Sequence, residues 1–257
     1  KFCADHGLKK FRAKQIYQDI VKNLISNWDK AIDLPKDIRE GLKDKFPIST
    51  LKVREILEAK NGDSIKIAFS TNDGLVIETV LMRHLSTDSR QAERNTVCVS
   101  TQAGCPMNCA FCATGKLGLQ RSLTAEEIVD QVLEFARILH PRCPTSGNSV
   151  LQKISGVVFM GMGEPFANYD NTVEAIEILN DGQGFNLGSR HITVSTSGLV
   201  PEILKFAKEK SQVNLAISLH APNDEIRDAL MPVNKKYPLS KLLPAVSEYM
   251  SLTGRKV

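Results

Sequence analysis

Three cysteines stand close together in the segment Gly104-Cys105-Pro106-Met107-Asn108-Cys109-Ala110-Phe111-Cys112. This C-x3-C-x2-C spacing puts three thiolates on one short loop. Thiolate is the preferred ligand of cluster iron, so Cys105, Cys109 and Cys112 can hold three irons of a [4Fe–4S] cube and leave the fourth iron open to a small molecule. The other reading is a structural zinc site, which usually needs four protein ligands in two paired halves. No second half is visible: Cys143 is alone and no pair of histidines has ligand spacing. The remaining cysteines are Cys3 and Cys98. Such crowding does not suit the disulfide framework of a small secreted domain. It suits a reducing compartment, and a cytoplasmic location is expected.

The elements that must position this loop follow from periodicity. Residues 11–25 have a helical period, with Ala13, Ile16, Tyr17, Ile20, Val21 and Leu24 on one face. A second short helix is expected to start near Pro35, a favourable first-turn residue. Residues 53–59, 64–69 and 75–82 read as strands, separated by the turn signals Asn61-Gly62 and Asn72-Asp73-Gly74. A polar stretch over 86–95 reads as a linker. Beyond it strands (96–101, 154–160, 191–196, 214–220) alternate with helices (124–139, 171–179, 201–210, 223–231, 240–251). Thr124 and Glu127 form a capping-box pattern. Residues 138–149 read as an irregular insertion. This alternation argues for parallel βαβ units, in a doubly wound sheet or part of a (β/α) barrel. The expected organisation is an N-terminal α+β domain over 1–90, then an α/β core over 91–257.

Composition narrows the class without naming a function. The 257 residues are 42% hydrophobic and 24% charged, ordinary for a globular protein. No apolar run approaches the roughly 20 residues that cross a bilayer, and no secretory signal opens the chain. The net charge of +4 permits an RNA partner. The basic bias is concentrated in residues 1–60, at roughly +5. That stretch reads either as a phosphate-contacting face or as a solvated helical surface, and Phe11, Tyr17 and Trp28 within it read as core more readily than as RNA contacts. Both ends of the chain are expected to be cut, since it starts at Lys1 and ends on what reads as the entry to a strand.

An aromatic residue before the third cysteine completes a pattern similar to that of radical S-adenosylmethionine enzymes. Further segments extend the likeness over nearly the whole chain: Val97-Cys98-Val99-Ser100-Thr101-Gln102, Gly161-Met162-Gly163-Glu164-Pro165, Val194-Ser195-Thr196-Ser197-Gly198, Ser218-Leu219-His220-Ala221-Pro222-Asn223 and Met231-Pro232-Val233-Asn234. Together they resemble the RlmN/Cfr family of RNA methyltransferases. The resemblance implies a partial (β/α) barrel core with a [4Fe–4S] cluster and S-adenosylmethionine as cofactors. It assigns the cluster to Cys105, Cys109 and Cys112, and S-adenosylmethionine to Gly163, Glu164, Ser195, Ser218, Leu219 and His220. These residues sit at the ends of expected strands, the edge where ligands bind in α/β folds.

The resemblance also implies two catalytic residues. Cys98, which alone would read as a small buried hydrophobe, becomes a catalytic thiol. Glu78 becomes a proton acceptor. The implied substrates are 23S rRNA and tRNA, methylated at C2 of an adenosine; the alternative within the family is C8 of the rRNA adenosine, and Pro165 favours the C2 branch. The methyl group travels on a further cysteine near the C-terminus. No cysteine follows Cys143, so that residue is expected to lie beyond this chain. A flavodoxin-type electron donor is implied as a partner. The reading from a different class is a non-catalytic RNA-binding protein with a structural zinc–cysteine loop.

Overall fold

The computed structural model describes residues 8–84, 94–139, 153–209 and 211–257. Cys3, Cys143, most of the expected linker and most of the expected insertion lie outside the described residues. Helix α1 (Lys10–Val21) is shorter than its sequence period. It ends where Leu24 enters the left-handed region (φ 52°) and the Lys22 and Asn23 amides both turn back to the Gln18 carbonyl. Helix α2 (Lys36–Lys45) starts directly after Pro35. Ile25, Trp28, Ala31, Leu34 and Leu42 form a small core between them, and the Trp28 indole donates to the Phe46 carbonyl at 2.7 Å. Trp28 and the half-buried Tyr17 are packing residues; Phe11 is exposed, with Arg12 over its ring.

Strands β1 (Lys52–Glu58), β2 (Ser64–Ser70) and β3 (Val76–His84) form the expected antiparallel meander. Gly62 and Gly74 take positive φ at its two turns, a conformation that glycine adopts without strain. The sheet does not stop there. Strand β4 (Arg94–Cys98) pairs antiparallel with β3 and parallel with β7 (Ile154–Phe159). Strands β8 (Ile192–Thr196) and β9 (Asn214–Ile217) continue the parallel half, giving the order β1-β2-β3-β4-β7-β8-β9. A separate two-stranded ribbon joins β5 (Gln102–Gly104) to β6 (Leu119–Ser122). The fold is α/β, with the βα units of a partial barrel.

Helices α4 (Ala125–Leu139), α5 (Tyr169–Asn180), α6 (Val200–Lys208) and α8 (Leu239–Thr253) share one hydrophobic core with the sheet. The short helices α3 (Ala113–Lys116) and α7 (Asp224–Leu230) belong to the loops at the strand ends. The capping box at the start of α4 forms as expected: the Thr124 amide donates to Glu127 at 3.0 Å and the Glu127 amide to Thr124 Oγ1 at 3.3 Å. The parallel strands bury only one face under these helices. Val97, Val157, Ile192, Val194 and Leu215 point into the core. On the opposite face Thr96, Cys98, Val158, Thr193, Ser195, Asn214 and Ala216 stay half-exposed. Alternation along each strand puts the chemistry-bearing residues on that open face.

Several contacts besides the β3–β4 pairing hold the N-terminal unit to this body. Asp130 on α4, buried, accepts from the Thr50 amide (2.6 Å), Thr50 Oγ1 (2.8 Å) and Ser49 Oγ (3.2 Å). Tyr17 on α1 packs on Gly184, where any Cβ would overlap its hydroxyl.

Candidate active site

The cysteine loop is the connection of the β5–β6 ribbon. Gly104 ends β5 at φ +78°, and a Cβ there would collide with the Gly118 carbonyl, so no larger residue fits. The loop then closes on itself: the Cys105 amide donates to the Gly118 carbonyl at 3.1 Å and the Cys112 amide to the Cys109 carbonyl at 3.0 Å. The Ala110 amide reaches the Leu230 carbonyl at the end of α7, at 2.8 Å. Cys105 and Cys109 are buried and Cys112 is half-buried, and all three are free thiols lining one cavity of about 280 Å³.

Strand ends supply the rest of that cavity. Gly161, Gly163, Glu164 and Pro165 follow β7, Ser195 and Thr196 end β8 and Ser197 follows it, and Ser218 and His220 follow β9. The close approach that the glycines permit is to the chain itself. A Cβ on Gly161 would lie 2.7 Å from the Val99 carbonyl, and one on Gly163, at φ +99°, would lie 2.6 Å from Gln102 Cβ. Glu164 is buried; Oε1 accepts the Phe166 amide at 3.0 Å and Oε2 the Ser197 amide at 2.7 Å. Burial pushes its carboxyl above the ordinary range and these amides pull it back. Each carboxylate oxygen has a second lone pair, so Glu164 can still accept from a cationic ligand.

The hydroxyls of Ser195 and Ser218 are 3.3 Å apart. His220 adopts φ 57° between the Leu219 carbonyl and the Ala221 amide, which are bonded at 2.8 Å. A non-glycine residue held there is strained, a feature that collects at functional sites. Its ring lies against Phe111, with centroids 4.6 Å apart, and so ties the cysteine loop to the end of β9. Leu219 differs from its neighbours: its side chain is exposed and does not line the cavity, and its carbonyl accepts from Arg227.

Cys98 and Glu78 also stand outside the cavity lining. Cys98 pairs with Val80 on β3 and Val158 on β7. Burial pushes its thiol up, and a hydrogen bond with the backbone of Met160, a cavity residue, pulls it back. Glu78 lies two residues before Val80, hence on the same open face as Cys98. Its carboxylate is half-exposed and paired with Lys66 at 2.9 Å.

Sequence reasoning missed Arg227. It is fully buried, while the adjacent Ile226 is exposed, which inverts the apolar pattern that marks a core face. Gln102 was missed as well; its side chain accepts the Glu164 amide at 2.9 Å.

Burial pushes the Cys105 thiol up to about 11, with Glu164 and the other two cysteines adding to the effect. Cys109 is raised by burial, then by Cys112 and Glu164, while Arg227 pulls it back. A site of this kind becomes thiolate when a metal group takes up the charge. Among the described residues no three His, Cys, Asp or Glu side chains converge tightly enough to hold a single metal ion. Three thiols on one loop suit a multi-iron cluster, because the cube binds each cysteine at a different iron.

Residues 99–252 match the family model described as the Radical SAM superfamily. This chain belongs to the radical SAM superfamily. Residues 1–48 match the model described as the ribosomal RNA large subunit methyltransferase N-terminal domain, which places this radical SAM chain in the RlmN branch. It is 45% identical to a "Probable dual-specificity RNA methyltransferase RlmN" of Staphylococcus carnosus over all of its own length and 66% of that protein. The protein of the same name from Geobacillus thermodenitrificans is 46% identical over 98% of this chain and 65% of its own. Among solved structures, a radical SAM methyltransferase from Sphaerobacter thermophilus superposes with a TM-score of 0.89 at 44% identity, covering 99% of this chain and 70% of that one. The chain thus spans just under two thirds of the curated relatives it matches. Membership in the radical SAM superfamily implies a [4Fe–4S] cluster and S-adenosylmethionine, and the thiols and the polar strand ends around them fit both. No helix among the described residues is long and apolar enough to cross a membrane.

Proposed function

We propose that this chain is the catalytic core of a cytoplasmic RNA methyltransferase that methylates C2 of an adenosine in 23S rRNA and in tRNA. The observation that carries this reading is the single cavity shared by Cys105, Cys109, Cys112, Glu164, Ser195, Ser218 and His220, beside an open sheet face that presents Cys98 and Glu78. The names of the relatives support the RNA substrate.

In this reading Cys105, Cys109 and Cys112 hold the cluster, and Gly163, Glu164, Ser195, Ser218, Leu219 and His220 hold S-adenosylmethionine, Leu219 through its backbone. When bound, this pair supplies one-electron chemistry, which suits an aromatic carbon with no easily ionised proton. The chain's own residues do the remainder. Glu78 accepts the proton that leaves the methylated carbon, and Lys66, paired with it at 2.9 Å, orients its carboxylate. Cys98 supplies a thiolate nucleophile that releases the product. A further cysteine beyond this chain carries the methyl group. The target base must be unstacked to reach the open face. Residues 1–90, the basic accessory unit, contact RNA phosphates. A flavodoxin-type protein delivers the electron.

The test is product analysis with the full-length parent, reconstituted anaerobically with S-adenosylmethionine, a reductant and a 23S rRNA fragment. Digested RNA is read by mass spectrometry against methyladenosine standards. 2-Methyladenosine is the expected product, and Cys98→Ala should trap a protein–RNA crosslink. 8-Methyladenosine would overturn the C2 assignment. No methyladenosine from a protein that still cleaves S-adenosylmethionine would overturn the RNA reading.

A further inference from the structure

Arg227 is a charged side chain with no exposed surface. Its Nη2 donates to the Ser197 carbonyl at 2.6 Å, its Nε to the Leu219 carbonyl at 3.2 Å and its Nη1 to Asn234 Oδ1 at 2.6 Å. All of these acceptors are neutral. Its carboxylate neighbours stand one amide away: Asn234 Nδ2 donates to Asp224 Oδ1 at 2.9 Å and to Asp228 Oδ1 at 2.7 Å. A cation withdrawn from water without a direct counter-charge is costly to keep. Its burial therefore calls for a compensating gain.

Two structural facts point to that gain. The gripped carbonyls belong to the turns after β8 and β9, the turns that bring Ser197 and Ser218 to the cavity. The helix that carries Arg227 also accepts the Ala110 amide of the cysteine loop through Leu230. One guanidinium and one short helix thus hold three separate parts of the site in register. The Cys109 thiol lies within the field of the same guanidinium.

We propose that Arg227 is a positioning residue that sets both strand-end turns against the cysteine loop, and that its charge offsets the negative charge the loop carries once its thiolates hold a cluster. This rests on the proposed assignment of the cavity to the cluster and S-adenosylmethionine, and not on the identity of the RNA. The planar fork of arginine suits the first role and its permanent charge the second.

The test uses cluster-loaded protein without RNA. S-adenosylmethionine affinity is read by anaerobic equilibrium titration, and the cluster midpoint potential by redox titration followed by electron paramagnetic resonance. Arg227→Gln should weaken S-adenosylmethionine about tenfold or more and move the potential to more negative values. Arg227→Lys should return the potential towards that of the unaltered protein while affinity stays weak, because one ammonium cannot span the fork's acceptors. Asp228→Asn guards against a variant that fails to fold. It keeps an acceptor for Asn234 Nδ2 and leaves the guanidinium intact, but removes one of its carboxylate neighbours, and should raise the potential with little change in affinity. An unchanged potential in Asp228→Asn overturns the charge role, and unaltered affinity in Arg227→Gln overturns the positioning role. Because no RNA enters either measurement, a failure to methylate RNA would count against the proposed function alone.

Discussion

Glu164 and Arg227 hold Ser197 by opposite ends: the Ser197 amide donates to Glu164 Oε2 at 2.7 Å, and the Ser197 carbonyl accepts from Arg227 Nη2 at 2.6 Å. The turn after β8 is therefore fixed by an anion on one side and a cation on the other. Glu164→Gln keeps the shape but offers one carbonyl oxygen where two carboxylate oxygens served. Either the Phe166 or the Ser197 amide loses its acceptor, at about 1–3 kcal/mol of folding stability. S-adenosylmethionine should bind about tenfold more weakly, or worse. Chemical denaturation and equilibrium titration measure the two effects. Unchanged affinity in the folded variant would remove Glu164 from the binding site.

Alanine at Cys105, Cys109 or Cys112 should each abolish the broad visible absorption of the reconstituted protein and lower its bound iron. Cys98→Ala should leave both intact, since Cys98 faces Met160 and lies outside the cavity lining. Iron content and absorbance of the four variants decide this. A colourless unaltered protein carrying stoichiometric zinc would favour the structural-zinc reading instead.

Gly184→Ala forces Tyr17 away from its seat, because the new Cβ overlaps the Tyr17 hydroxyl and lies 2.9 Å from Tyr17 Cε1. Overpacking of this kind costs about 1–3 kcal/mol. The loss should appear first as faster proteolysis between α1 and β1, with the core intact. Tyr17→Phe in the Gly184→Ala background should recover part of it. Equal proteolysis of Gly184→Ala and unaltered protein would show that α1 does not depend on this contact.

Asp130 sets a pH dependence. Burial is the main cause that raises its carboxyl above the ordinary value near 4, and the hydrogen bonds from Thr50 and Ser49 pull it partly back. The folded chain therefore keeps this proton to a higher pH than the unfolded chain. Its contribution to stability is full below about pH 4 and declines as pH rises through the raised value. Asp130→Asn removes the titration while retaining an acceptor for the Thr50 amide. The variant should gain stability relative to the unaltered protein as pH rises from about 4 to 7. Denaturant titrations at several pH values check this, and a difference that stays constant with pH would refute it.

The periodic parts of this molecule were legible in its sequence for plain reasons. The parallel strands and their helices carry long apolar patterns, and the Thr124–Glu127 capping box is a local hydrogen-bond motif. The cysteine loop is local too, so the three cysteines that line the cavity could be named without a structure. What escaped was non-local or against pattern. Strands β5 and β6 have three and four residues and no alternation, so the ribbon that frames the cysteine loop left no periodic trace. The polar stretch before β4 marks a connection but carries no sign that β3 and β4 pair across it. Arg227 was hidden because its burial is decided by carbonyls that arrive from β8 and β9. Leu219 was grouped with its neighbours by position, yet the left-handed turn at His220 leaves its side chain on the outside.

Helices cover one face of the parallel sheet and leave the other half-exposed. The two faces are therefore open to change in unequal degree. Replacing Val97, Val157 or Val194, all without exposed surface, disturbs a packed interior and threatens folding. Replacing Thr96, Thr193 or Ala216 alters the open face, where the proposed function puts the substrate, and leaves the core packing alone. Such a fold can diversify what it recognises, one residue at a time, without first having to become more stable.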